Sequence, residues 1–213
     1  MLTYDFYHFV FCNVNVKSDE LLLFATFINK DNFYLFKLSY MTSPVKYICS
    51  HCGKEHENWP ALAYSSPANY DELSTEDKET IADLNSDFCV ITYPDQTDRF
   101  IRCTLNQRVI DHCQDLEYGL WVSLSEASFK DYSDNFNNEN HVTQYFGWLS
   151  NALPDYEFDD SIPTTIFTKP GNNRPEIVPH DDFDHPFVRD YYNGITKIEA
   201  ERRIREMMDS FEE

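Results

Sequence analysis

Glycine is scarce in this chain: five in 213 residues, with none among the first forty. A phosphate cradle needs glycines clustered where the backbone must close on a nucleotide, and here two of the five are dispersed through YGLW and FGWL, so nucleotide binding of that kind is disfavoured. The nucleophile elbow GxSxG is missing as well, which removes the commonest serine-hydrolase signature. Basic residues are few, 17 Lys and Arg against 37 Asp and Glu, for a net charge of −20. Such a field repels phosphate backbones and no local basic patch interrupts it, so nucleic acid is not an expected partner. An acidic surface fits simple solubility or a basic protein partner.

Long apolar runs are missing too. No segment approaches the ~20 residues that a membrane helix needs. The opening MLTYDFYHFVF holds no Lys or Arg and is interrupted by Asp5 and His8, unlike a signal peptide. The expectation is a cytoplasmic protein with no membrane contact, in which the six cysteines stay reduced. What is present, 42% hydrophobic residues, is enough for a packed globular core.

Residues 1–40 differ from the rest, with 11 of the 34 aromatics and neither Gly nor Pro. One reading is an added β-structure, because LTYDFYHFVFCNVNV, LLLFATFI and NFYLFKLSY are β-prone runs. The other is translated upstream sequence, with the natural start at Met41. The expected organisation is therefore an extension, 1–40, and a single α+β domain, 41–213.

Within that domain Ser74 is placed to cap a helix over STEDKETIADLN, with Ile81 and Leu84 on one face. FCVITY and RFIRCTL, joined by PDQTD, read as a hairpin and YGLWVSLS as a third strand. Ser125 can cap a short helix, EASFKDY. YFGWLSNALPDY reads as a buried short helix followed by a turn, and TTIFTK and PEIVPH flank a turn, PGNNR. At the end, TKIE from Thr196 to Glu199 has the form of a capping box, and Ile204, Met207, Met208 and Phe211 follow as an apolar stripe. The sum is a small, mostly antiparallel sheet with a C-terminal helix.

The chemistry centres on CSHCGKEH, Cys49 to His56. Two thiolates two residues apart, with Gly53 behind the second to permit a positive φ, suit a zinc knuckle. Redox chemistry wants such a pair at the start of a helix, whereas here KEHENWP follows, with Pro60 close behind. Structural zinc takes four ligands. Cys49, Cys52 and His56 supply three, and Cys89 or His185 is the expected fourth, ahead of His51, Cys103, Cys113 and His112. A DNA-binding C2H2 finger is excluded because no histidine pair follows at the required spacing. A second cluster, HDDFDHP from His180 to Pro186, has metal and acid–base vocabulary, but a solvated acidic loop is the preferred account of it.

The order YICSHCGKEHENWP, SDFCVI, FIRC, GLWVSLS, YFGWLSNALPDY, NRPEIV and DHPFVRDYYNGIT resembles a bacterial family, domain of unknown function 2199, from about Tyr47 to Met208. The family's pattern includes the cysteine pair and residues like Asp87, Cys89, Arg102, His185 and Pro186. It departs at Cys103, where glycine usually follows the arginine. The resemblance implies no activity. The reading that follows is a binding module with a structural zinc knuckle, an acidic inhibitor or immunity-type partner of a basic protein. The alternative is a metal-dependent enzyme with an open zinc site near Asp87, Arg102 and His185.

Overall fold

The computed structural model describes residues 59–209, apart from Cys113, Phe158, Asp159 and Asn172, together with the backbone of five strands in the first 58 residues. The chain divides into two units, Met1–Asn58 and Trp59–Glu213. In the first, β1 (Val10–Cys12), β2 (Leu22–Asn29) and β3 (Asn32–Ser39) pair antiparallel in that order, so each of the three β-prone runs contains a strand. β4 (Tyr47–Ile48) pairs antiparallel with β5 (Glu55–His56), Ile48 opposite Glu55. Cys49 and Cys52 fall between these two strands, outside the described residues.

The second unit runs β6 (Leu62–Ala63), α1 (Ala68–Asp71), α2 (Thr75–Thr80), β7 (Ala82–Leu84), β8 (Phe88–Thr92), β9 (Thr97–Gln107) and β10 (Leu116–Leu124). It continues with α3 (Glu126–Asp134), β11 (Gln144–Leu149), β12 (Pro163–Phe167), β13 (Glu176–Pro179), α4 (Pro186–Asn193) and α5 (Lys197–Asp209). The class is α+β, as expected. Its sheet has eight strands in the order β6-β10-β11-β12-β13-β9-β8-β7, and β10 also pairs with β9. The run from β9 through β10, β11, β12 and β13 therefore returns to β9 and closes a ring. All pairings are antiparallel except β6 with β10 and β13 with β9.

Alternation along β9 and β10 separates two cores. Ile101, Cys103 and Leu105 stand opposite Val122, Leu120 and Tyr118, and all six are buried. The other face carries Phe100 and Trp121, which pack with Cys89 and Ile91 under Tyr64, Tyr70, Leu73, Ile81 and Leu84. Gly147 is required where β11 crosses β10. A Cβ there would lie 2.5 Å from the Ser123 carbonyl oxygen and 2.7 Å from Ile166 Cδ1.

Two expected helices change. Ser74 does cap α2, accepting from Asp77 N at 3.1 Å, but the helix stops at Thr80 and Leu84 lies in β7. Pairing of Ala82 with Ile91 lets Ile81 and Leu84 reach the core as a strand, so tertiary contact overrides helical spacing. YFGWLSNALPDY does not form a helix. It opens with β11, whose residues alternate exposed and buried along its length. Its outward positions carry Phe146 and Trp148, and these aromatics hide the polar alternation that marks a half-buried strand. The C-terminal capping box is half made: Glu199 N donates to Thr196 Oγ1 at 3.3 Å, while the Glu199 carboxylate turns to Arg202 and Arg203.

Candidate functional site

The residues named from sequence scatter into different surroundings. Cys89 is fully buried in the aromatic core beneath Trp121, and burial pushes its thiol up to about 12. His185 caps α4. Its Nδ1 accepts from Phe187 N at 3.1 Å, which leaves Nε2 to donate to the Glu157 carbonyl at 2.7 Å. Both ring nitrogens are thus engaged in holding the entry to α4, where Pro186 supplies the first helical position. The rest of HDDFDHP is a turn with exposed Asp181, Asp182 and Asp184, and His180 Nε2 meets Thr165 Oγ1 at 3.0 Å. Among the described residues no group of three His, Cys, Asp or Glu is arranged to hold a metal ion. The side chains of Cys49, Cys52 and His56 lie outside the described residues.

Asp87 and Arg102, in contrast, are neighbours. Arg102 N donates to the Asp87 carbonyl at 3.0 Å, extending the β8–β9 ladder by one pair. The Asp87 carboxylate, however, is taken by Arg174, whose Nε donates to Oδ1 at 2.8 Å, and by the Ser86 hydroxyl. Burial works to raise that carboxyl, and the Ser86 and Arg174 hydrogen bonds overcome it, holding Asp87 below the usual carboxylate range. Arg174 comes from NRPEIV, just before β13. Sequence alone gave no reason to bring it 87 residues back to Asp87; only the parallel β13–β9 pairing does so.

Beside this ion pair a cleft of about 250 Å³ is lined by Asp87, Arg174, Lys169, His141, Tyr132 and Phe136, with three asparagines at its rim. His141 Nε2 faces both Asp131 Oδ2 at 3.2 Å and the Tyr145 hydroxyl at 3.0 Å, and that hydroxyl donates to the same Asp131 oxygen at 2.7 Å. The triangle fixes the end of α3 against β11.

A different face is apolar. Phe146 and Trp148 project outward from β11 at 48% and 44% exposure. Their rings meet edge to face at 5.1 Å, and Phe167 is exposed on neighbouring β12. Trp148 also borders a groove of about 660 Å³ with Phe183, Leu124, Asp98, Asp160 and Arg99. These aromatics thus lie on an exposed strand face, not inside the buried helix that the segment's composition suggests.

No helix among the described residues is long and apolar enough to cross a membrane. No curated protein and no solved structure matches the chain. One family profile does, that of an uncharacterised protein conserved in bacteria, and it covers residues 48–195. The match takes in Asp87, Arg102, Arg174, the aromatic face and the His185 cap, and the chain belongs to the DUF2199 family.

Proposed function

We propose that this chain is a protein-binding module for a basic partner, with zinc holding its CxxC loop. The observation that carries the reading is the outward pair Phe146 and Trp148. Large exposed aromatics with a polar surround are the residues that supply most binding energy at protein interfaces. Their neighbours are acidic: Asp98 and Asp160 share the Trp148 groove, and Asp181 follows His180, which touches Phe146. With a net charge of −20, a cationic partner would be steered to this face and a phosphate-bearing one turned away.

For the knuckle, antiparallel pairing of Ile48 with Glu55 supports the reading, since it draws together the ends of the segment that contains both cysteines. Cys49, Cys52 and His56 remain the proposed ligands. For Cys89 to be the fourth, a thiol raised to about 12 would have to ionise inside an apolar core. His185 would have to surrender the bond that caps α4. His51 is the alternative closest in the chain. The enzyme reading finds Asp87 beside Arg102 but His185 committed elsewhere, so the interaction reading is preferred.

Affinity capture from a bacterial extract, run with the wild type and with Phe146→Ser/Trp148→Ser, tests the proposal. The expected result is a basic partner retained at low salt and weakened about thirtyfold or more by the double change, as interface hot spots imply. Equal capture by both proteins, or capture of acidic partners only, would end it.

A further inference from the structure

The cleft of about 250 Å³ beside Asp87 takes no part in the aromatic interface or the zinc loop, and one of its walls is Tyr132. That side chain is 7% exposed, with its ring packed edge-on against Phe136 at 5.9 Å and Tyr145 at 6.3 Å. A tyrosine so buried ordinarily finds a partner for its hydroxyl. This hydroxyl makes no hydrogen bond among the described residues. Of their unbonded buried side-chain atoms, Arg102 Nε and Gln107 Oε1 are the ones shut off from solvent, so the Tyr132 hydroxyl is reached from outside, through the cleft that it lines. Burial first, then Cys103 and Asp87, push its pKa up. The group therefore stays protonated and can both donate and accept.

The rest of the lining is polar and balanced in charge. Arg174 Nε donates to Asp87 Oδ1 at 2.8 Å, and Lys169 Nζ lies 2.7 Å from Glu176 Oε2, so neither cation is left to hold an anion. The wall at Tyr132 and Asn135 is the C-terminal end of α3, the negative end of its dipole. An anion would meet that end and the chain's −20 charge, whereas a cation would meet two basic side chains. A neutral ligand escapes both objections.

Hydrogen-bonding capacity remains on offer. Arg174 Nη1 makes no bond among the described residues, the Asp87 carboxylate has acceptor sites beyond those used by Arg174 and Ser86, and Asn173 donates to the Pro170 carbonyl while its Oδ1 stays unbonded. Donors and acceptors set side by side next to an aromatic ring, Phe136, suit a ring with adjacent hydroxyls, since each hydroxyl does both. The walls are tied together: Gly171 N donates to the Glu139 carbonyl at 3.1 Å, and Thr168 Oγ1 to the His141 carbonyl at 2.8 Å. Pockets for drug-sized ligands begin at about 300 Å³, so this cleft has room for a single ring.

We propose that the cleft binds one neutral sugar ring, with the Tyr132 hydroxyl, Asp87 and Arg174 meeting adjacent hydroxyls and Phe136 flanking the ring's apolar face. The site shares no residue with the Phe146–Trp148 face, so it stands or falls apart from the interface reading.

The ¹⁵N-labelled full chain tests it. Glucose, galactose, mannose, ribose and N-acetylglucosamine are titrated separately, with sodium phosphate and choline chloride as charged controls at constant ionic strength. At least one sugar should shift the amides of Tyr132, Phe136 and Asn173 along saturating curves, and neither control should. Tyr132→Phe should raise the apparent dissociation constant about fivefold, the loss of one neutral hydrogen bond. Because the hydroxyl has no partner within the fold, that variant should keep the wild-type thermal midpoint, which separates weaker binding from misfolding. Methyl glycosides of the bound sugar distinguish the sources: equal affinity assigns the end of a sugar chain, and lost affinity a free monosaccharide. Saturation by no sugar, or by phosphate or choline alone, would overturn the proposal, and unchanged affinity in Tyr132→Phe would overturn the role given to its hydroxyl.

Discussion

Arg203 donates from Nη1 to the hydroxyl of Tyr118 at 3.2 Å, a bond between the last helix and the middle of the sheet. Tyr118 stands on the inner face of β10, opposite Leu105. Around the same guanidinium, which is 4% exposed, Nε donates to Glu199 Oε1 at 2.8 Å and Nη2 to Asp190 Oδ2 at 3.2 Å. The Tyr156 ring lies 5.0 Å away as a cation–π partner. One side chain therefore fastens α5 to β10, to α4 and to the segment that follows β11.

Removing it should be costly. Arg203→Met keeps the stem and deletes the charge, so Asp190 loses its cation while Glu199 retains Arg202. Breaking a fully buried pair costs about 3–5 kcal/mol, and because both carboxylates here are partly exposed the loss should lie below that, at about 2 kcal/mol. The midpoint of urea unfolding should fall accordingly, while Arg205→Met, at the exposed Arg205–Glu201 pair, should change stability by under about 1 kcal/mol. Comparable losses in the two variants would show that Arg203 is not the fastening.

The same network predicts an acid limit. Hydrogen bonds from Arg202 lead, against burial, and with those from Arg203 they bring the Glu199 carboxyl from its ordinary 4.5 down to about 2. A carboxyl with a depressed folded value contributes stability above its unfolded value and loses it on acidification. The contribution is thus complete above pH 4.5 and drains away as pH falls toward 2. Stability measured across that window should fall less steeply in Glu199→Gln than in the wild type. Parallel curves would mean that other carboxylates set the acid limit.

What the sequence revealed, and what it hid, follows from the range of the forces involved. Ser74 and Ser125 were legible as caps because a hydroxyl finding a backbone N–H three residues on is a local event. The β8–β9 and β12–β13 hairpins were legible for the same reason, with turn residues between alternating runs. Ring closure was not, since it rests on the parallel contact of Glu176 with Thr104, set by chain topology. Of the candidate site, Asp87 and Arg102 could be named as a pair, but Arg174 enters only through that closure. His185 looked like a ligand because its sequence neighbours are acidic, whereas its two bonds are to backbone groups that no side-chain pattern reveals.

Gly147 offers a direct test of the β10–β11 crossing. A methyl group there meets a backbone carbonyl at 2.5 Å, and a carbonyl within a ladder cannot move aside cheaply. Gly147→Ala should destabilise the protein by about 1–3 kcal/mol through overpacking, read as a lowered thermal midpoint. Gly119→Ala, with its nearest neighbour at 3.2 Å on a side chain, should cost less. The reverse order would show that β10 and β11 do not approach as described.

The zinc proposal turns on the fourth ligand. Purified wild-type protein should hold about one zinc per chain, as a four-ligand structural site requires, and Cys49→Ser should lose it. Equal zinc in both would eliminate the knuckle. If Cys89→Ala keeps its zinc, the buried thiol is only core packing, consistent with its place beneath Trp121. His185→Gln separates the remaining possibilities. Loss of the cap to α4 should cost about 1 kcal/mol whatever the metal does, so a variant that is slightly less stable yet fully zinc-loaded assigns His185 to the helix alone. Loss of zinc from His185→Gln, with Cys49→Ser equally depleted, would instead make His185 a zinc ligand.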